Sequence, residues 1–334
     1  MMEELEQSGR FGKFDEIENI DPIYICGLAR SGTTILLRYL DSTLTMASPS
    51  YRDMPFPTTP LAWRHFSRPR QLALEPLERG HGDGITIDAD SPEAFEEIIW
   101  KQYYPEHYSN DQINLWETLD EKPEATAALR SWGRKVILAR KYDNPLANRL
   151  LIKNNAGIAR LSLITKIYPN AKILVPFRHP VAHVASLIKR HIRSDSSQEI
   201  SRFNKRYMDD LGHYEFGKGM KIINYPGMKM WNVSQAESTD FWFAYWMACY
   251  GFLLDNPHDQ VMFFDHDAAS AAPDKMADRL AAFLGIARTN LNDPNEFYQN
   301  RPHDSFGLPK EAGELWERLR QSPKNLIHQT SGAI

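Results

Sequence analysis

An α/β fold with a central, mainly parallel sheet and helical insertions follows from three observations. Residues 22–40 read as a buried strand, a glycine turn and a helix. Residues 148–170 and 171–192 each repeat the order of strand, then helix. Val261-Met262-Phe263-Phe264 adds a further short apolar run ahead of an amphipathic segment. Short apolar runs that alternate with helical periodicity are the pattern of strands covered by helices on both faces.

In chain order, the acidic and polar residues 1–19 read as a flexible leader, and 20–334 as one α/β domain. The leader lacks the basic start and apolar core of a signal peptide. Ile23 to Cys26 suits a buried strand and Thr34 to Leu40 a helix packed against it. Gly27 and Gly32 between them allow a tight turn, so that backbone N–H groups and the positive helix end face one anion. The glycine spacing is that of a triphosphate-binding loop, but Thr33 stands where that pattern has Lys, and the cation within the loop is Arg30. This argues against ordinary ATP or GTP hydrolysis.

Ser48 to Pro60 is a proline-punctuated loop carrying Asp53, and such a loop can fold back over the carboxyl ends of the strands. Residues 61–90 end in a glycine-rich turn in which His81 and Asp83 are candidate acceptor contacts or, more plainly, solvated turn residues. Ser91 and Pro92 read as the N-cap and first position of a helix, and a second helix spans 124–140. The segment at about 61–140 is therefore a helical insertion on the acceptor side.

The strand at 150–152 leads to Lys153, at the edge where open α/β sheets bind ligands. The strand at 171–177 leads to Arg178, and Ser186 lies eight residues on, within the helix that Pro180 opens. That spacing can put a guanidinium fork and a hydroxyl on one phosphate. Phe241 to Leu254 reads as a buried aromatic core helix, too short to span a bilayer. Pro273 to Leu284 forms an amphipathic helix stopped by Gly285.

Gly27-Leu28-Ala29-Arg30-Ser31-Gly32-Thr33-Thr34 resembles the 5'-phosphosulfate loop of sulfotransferases that use 3'-phosphoadenosine 5'-phosphosulfate, most of all their bacterial branch. Arg178 with Ser186 resembles the 3'-phosphate site of the same family, and Phe283-Leu284-Gly285 its last helix end. The resemblance implies a P-loop-like three-layer fold and transfer of a sulfuryl group to a hydroxyl or amine. It implies that Arg30, Ser31, Gly32, Thr33, Thr34, Arg178 and Ser186 bind the donor, with adenosine 3',5'-bisphosphate as product and no metal. Arg30 and Lys153 are then catalytic cations, and Asp53 the acceptor's general base unless it serves a turn or pairs with Arg52. His179 departs from the Asp that many bacterial members carry before the Pro. The C-terminal Gly307 and Lys310 match the family only in part.

A formal charge of −4 gives no support for general binding to nucleic acid or acidic membranes. Two cysteines make neither a disulfide framework nor a metal cluster. With no membrane anchor, the resemblance implies a cytoplasmic, bacterial protein acting on a small-molecule or glycan acceptor; oligomeric state stays open. Two other readings remain: a P-loop kinase using Asp265 for magnesium, and a non-catalytic nucleotide-binding scaffold on the same fold.

Overall fold

The structure is a computed structural model that describes residues 20–67, 77–78, 86–196, 209–293 and 306–328, together with Glu6 and Ile17. Strands β1 (Ile23–Ile25), β2 (Met46–Ala47), β3 (Arg149–Lys153), β4 (Lys172–Phe177) and β5 (Val261–Asp265) form one sheet in the order β2-β3-β1-β4-β5. Every pairing in it is parallel, with Ile25 beside Lys153 on one side and Leu174 on the other.

Side chains alternate across the sheet, so each face has its own core. Ile23 and Ile25 join Leu36, Leu151, Leu174 and Phe264 on one face. Tyr24 and Cys26 join Ile152, Val175 and Phe177 on the other. Parallel strands need crossovers, and helices supply them. The first face is covered by α1 (Thr33–Asp41), whose Leu36, Leu37 and Leu40 are buried. The helix pair that follows β5 covers it too: α8 (His266–Ala271) and α9 (Pro273–Leu284) contribute Ala269, Met276 and Leu280.

The opposite face carries α2 (Pro60–Ser67), α3 (Glu97–Tyr103), α4 (Pro123–Lys141), α5 (Leu161–Ile167), α6 (Pro180–Ser196), α7 (Thr239–Asp255) and α10 (Lys310–Gln321). The aromatic α7 buries Phe241, Trp242, Tyr245, Trp246 and Tyr250, as a helix apolar all round its axis must. Among the described residues, no helix is long and apolar enough to cross a membrane.

Two boundaries differ from the sequence reading. Ser91 and Pro92 do not open a helix, and α3 begins at Glu97. Ser91 instead closes a turn with the Asp88 carboxylate, and Pro92 bridges Ser50, so the local hydrogen bonds are spent before a helix can start. The helix expected within 148–170 is split into a 3-10 turn, Asn155–Ala159, and α5. At the break Arg160 leaves helical geometry, with φ −134°, and its buried guanidinium lies against the Trp100 and Trp116 rings. Glu6 and Ile17, within the expected leader, are buried, and Glu6 accepts from Ala62 N–H at 2.7 Å and meets Lys135 at 2.9 Å.

Candidate active site

β1 ends at Ile25, and the chain turns through Leu28 to Gly32 before α1 starts. Two residues take left-handed φ there, Arg30 at 69° and Gly32 at 102°. A Cβ on Gly32 would lie 2.0 Å from the His266 ring, so glycine is required twice over, by conformation and by space. No side chain caps α1 and no acidic residue occupies its first turn, which leaves its N–H groups and positive end for an anion. Ser31 and Thr33 are buried beside this end.

The loop is tied to the next crossover. Arg30 Nε donates to Ser186 Oγ at 3.0 Å, Arg178 Nη1 donates to Arg30 O at 3.4 Å, and His183 Nε2 donates to Ala29 O at 2.8 Å. Burial drives the His183 imidazole down to about 3, so it is a neutral strut. Burial, and then Arg178, hold His266 near 4. Asp267 accepts from His179 N–H at 2.6 Å and lies 3.8 Å from Arg178 Nε, which itself makes no hydrogen bond among the described residues. Asp267 thus joins the His179 amide to the Arg178 guanidinium. Arg30, Arg178 and Ser186, read from two separate stretches of sequence, converge as one basic, hydroxyl-bearing cluster.

On the other side of the loop a cavity opens. Leu28 and Ala29 of the loop line it together with Lys153, His213 and Trp242. Lys153 is buried at the end of β3 and lies 3.9 Å from Glu93. Glu93 also accepts from Tyr51 OH at 2.5 Å and from Ala94 N–H at 2.8 Å. Burial pushes the Glu93 carboxyl up, yet Lys153, His213, Tyr51 and the amide together outweigh it and hold the group at about 2.

Asp53 is not brought to this cavity. It is fully buried in the 3-10 turn Tyr51–Asp53, accepts from Ser50 N–H at 2.8 Å and receives the Arg140 guanidinium on both oxygens, 2.6 Å on Oδ1. Burial raises its carboxyl and Arg140 pulls it back. Both of its oxygens are already engaged, and Arg52 pairs with Asp90 instead. His81 and Asp83 lie outside the described residues. Lys310 is exposed, opening α10 and pairing with Glu314, whereas Trp316 of that helix packs edge-on against His179. Asp265 caps α8 through Ala268 N–H and faces His328 and Arg320, so the carboxylate that a magnesium-dependent kinase would use is engaged.

Glu93, His213 and the aromatic wall of the cavity were not legible as site residues. Glu93 looks like the first turn of a helix, and His213 sits in a polar stretch with no neighbouring motif. The one available signal was that α7 has no polar face, so any opening beside it had to be lined by rings.

The model of the sulfotransferase family matches residues 22–290. No curated protein sequence matches the chain. Solved structures similar to it include the sulfotransferase STF1 of Mycobacterium tuberculosis, at 15% identity over 94% of this chain and 75% of that one, with a TM-score of 0.44. Sulfotransferase STF9 of Mycobacterium avium is 11% identical over 96% and 78% of the two chains, TM-score 0.47. A sulfotransferase of Alicyclobacillus acidocaldarius is 15% identical over 95% and 99%, TM-score 0.41. With the family model spanning the loop, Lys153, Arg178, Ser186 and the last sheet strand, the chain belongs to the sulfotransferase family.

Proposed function

We propose that this protein transfers a sulfuryl group from 3'-phosphoadenosine 5'-phosphosulfate to a hydroxyl of an acceptor held in the cavity beside Lys153. The observation that carries the reading is the convergence of Arg30, Arg178 and Ser186 next to an uncapped helix N-terminus. Two phosphate sites, one at α1 and one at Arg178 with Ser186, suit a nucleotide phosphorylated at both 5' and 3' positions.

When bound, the donor supplies the sulfuryl group and leaves as adenosine 3',5'-bisphosphate. The amides of 31–34 and the hydroxyls of Ser31, Thr33 and Thr34 would hold the 5'-phosphate, with Arg178 and Ser186 on the 3'-phosphate. The acceptor oxygen forms a bond to sulfur while the bond from sulfur to the bridging phosphate oxygen breaks, and the electron pair departs on that phosphate. Lys153 and Arg30 stabilise the negative charge that builds there, a contribution of preorganised charge rather than covalent chemistry. The acceptor's proton passes to His213, which lines the cavity beside Glu93. An imidazole ring nitrogen can accept that proton, whereas a carboxylate held near 2 is a poor base. Glu93 thus positions Lys153 and balances a charged imidazole.

Calorimetric titration with adenosine 3',5'-bisphosphate and, separately, with ADP tests the reading. The bisphosphate should bind selectively, and Arg178→Ala should weaken it by about tenfold to a hundredfold, the worth of a charge-assisted hydrogen bond. Equal affinity for ADP, or indifference to Arg178, contradicts it.

A further inference from the structure

We infer that the acceptor is an apolar alcohol or phenol presenting a single hydroxyl, rather than a sugar; this rests on the sulfuryl-transfer reading of the site. The walls of the cavity are built from Leu28, Ile113, Leu187, Met220, Ile223 and Trp242. Ile113 and Ile223 face each other across a short parallel pairing of Gln112–Ile113 with Ile222–Ile223, so one wall is a fixed apolar patch of backbone-paired residues. Trp242 is held by its Nε1 donating to Ala236 O at 2.7 Å, which turns the ring body rather than its polar edge to the opening.

Most of the polar side chains on the same walls are engaged within the protein. Glu97 receives Arg160 on both oxygens at 2.8 Å. Tyr245 OH accepts from Ile223 N–H at 3.0 Å, and Tyr214 OH donates to Asp209 O at 2.9 Å. Lys221 Nζ donates to the carbonyls of Ser109 and Asn110. Asn155 Nδ2 donates to Glu215 at 2.8 Å.

What is left for a ligand is concentrated in one place. Lys153 and His213 stand together by Glu93, and Asn155 Oδ1 is buried with no hydrogen-bond partner among the described residues. One hydroxyl satisfies that set, with its proton toward His213 or Asn155. A hexose would bring four or more further hydroxyls against walls that are mainly apolar and whose polar side chains are mostly engaged, and each hydroxyl buried without a partner costs about 1–3 kcal/mol. A ring or chain with one hydroxyl has no such cost and gains from burial against Leu187, Ile223 and Trp242.

The test is calorimetry on the full chain saturated with adenosine 3',5'-bisphosphate, using 2-naphthol and N-acetylglucosamine as probes. The naphthol should bind at least about tenfold more tightly than the sugar. Ile223→Lys should remove that binding while leaving bisphosphate affinity within about twofold of the wild type. Leu187→Asn serves the same end where the lysine disturbs folding, and bisphosphate binding reports that each variant is folded. Sugar bound as tightly as naphthol, or naphthol binding indifferent to both substitutions, overturns the inference. Naphthol binding without any bisphosphate binding overturns the donor reading alone and supports the apolar character of the cavity.

Discussion

Glu93 is the residue around which the cavity's charge is arranged. Its carboxyl lies well below the ordinary carboxylate range, at about 2 against 4.5, despite burial. A depressed folded pKa adds stability above the unfolded value of 4.5 and loses it as pH falls toward 2. The wild type should therefore lose about 2 kcal/mol more than Glu93→Gln between about pH 6 and about pH 3, measured by urea denaturation. Parallel pH profiles for the two proteins would refute that placement of charge. Asp53 shows the reverse case. Its two oxygens are bound by Arg140 and Ser50, so an acid that sequence position recommends as a base is part of the frame.

At the scale of elements, the cavity depends on how α3 meets the turn after β3. Glu96 accepts from Tyr24 OH at 2.6 Å, Glu97 is clasped by Arg160, and Asn154 Nδ2 bridges the two acids at 3.2 Å and 2.9 Å. This buried polar knot fixes Glu97 in the cavity wall and Asn154 next to Lys153. Removing the guanidinium with Arg160→Met leaves Glu97 buried and uncompensated, so the fold should weaken by about 3–5 kcal/mol, measured by chemical denaturation. A loss below about 1 kcal/mol would mean that the knot is not structural. The strands and the Gly27–Gly32 turn were readable because apolar runs and glycine spacing are local signals. The knot was not, since Arg160, Glu97 and Tyr24 are joined only by the folded chain, and Ser91 with Pro92 gave a false helix start because a capping pattern and a turn use the same residues.

Across the whole molecule, one loop divides the labour between its two sides. Arg178 and Ser186 reach it through β4 and α6 from one side, and Lys153 reaches it through β3 from the cavity side, because parallel strands bring their carboxyl ends to one edge. That convergence was legible in the sequence, as strand ends followed by Lys, Arg and a helical Ser. The cavity was not, since its walls come from seven distant stretches with no common motif. Its chemistry emerges only when their polar groups are seen to be occupied by one another.

The measurement that bears most directly on the central claim is transfer of labelled sulfuryl from 3'-phosphoadenosine 5'-phosphosulfate to 2-naphthol by the wild type and by Lys153→Ala. The account predicts a labelled naphthyl sulfate, with kcat reduced by about a hundredfold or more in the variant and bisphosphate affinity nearly unchanged, because Lys153 acts on charge that develops in the transition state. Full activity in the variant, or phosphoryl transfer from ATP in place of sulfuryl transfer, would contradict it.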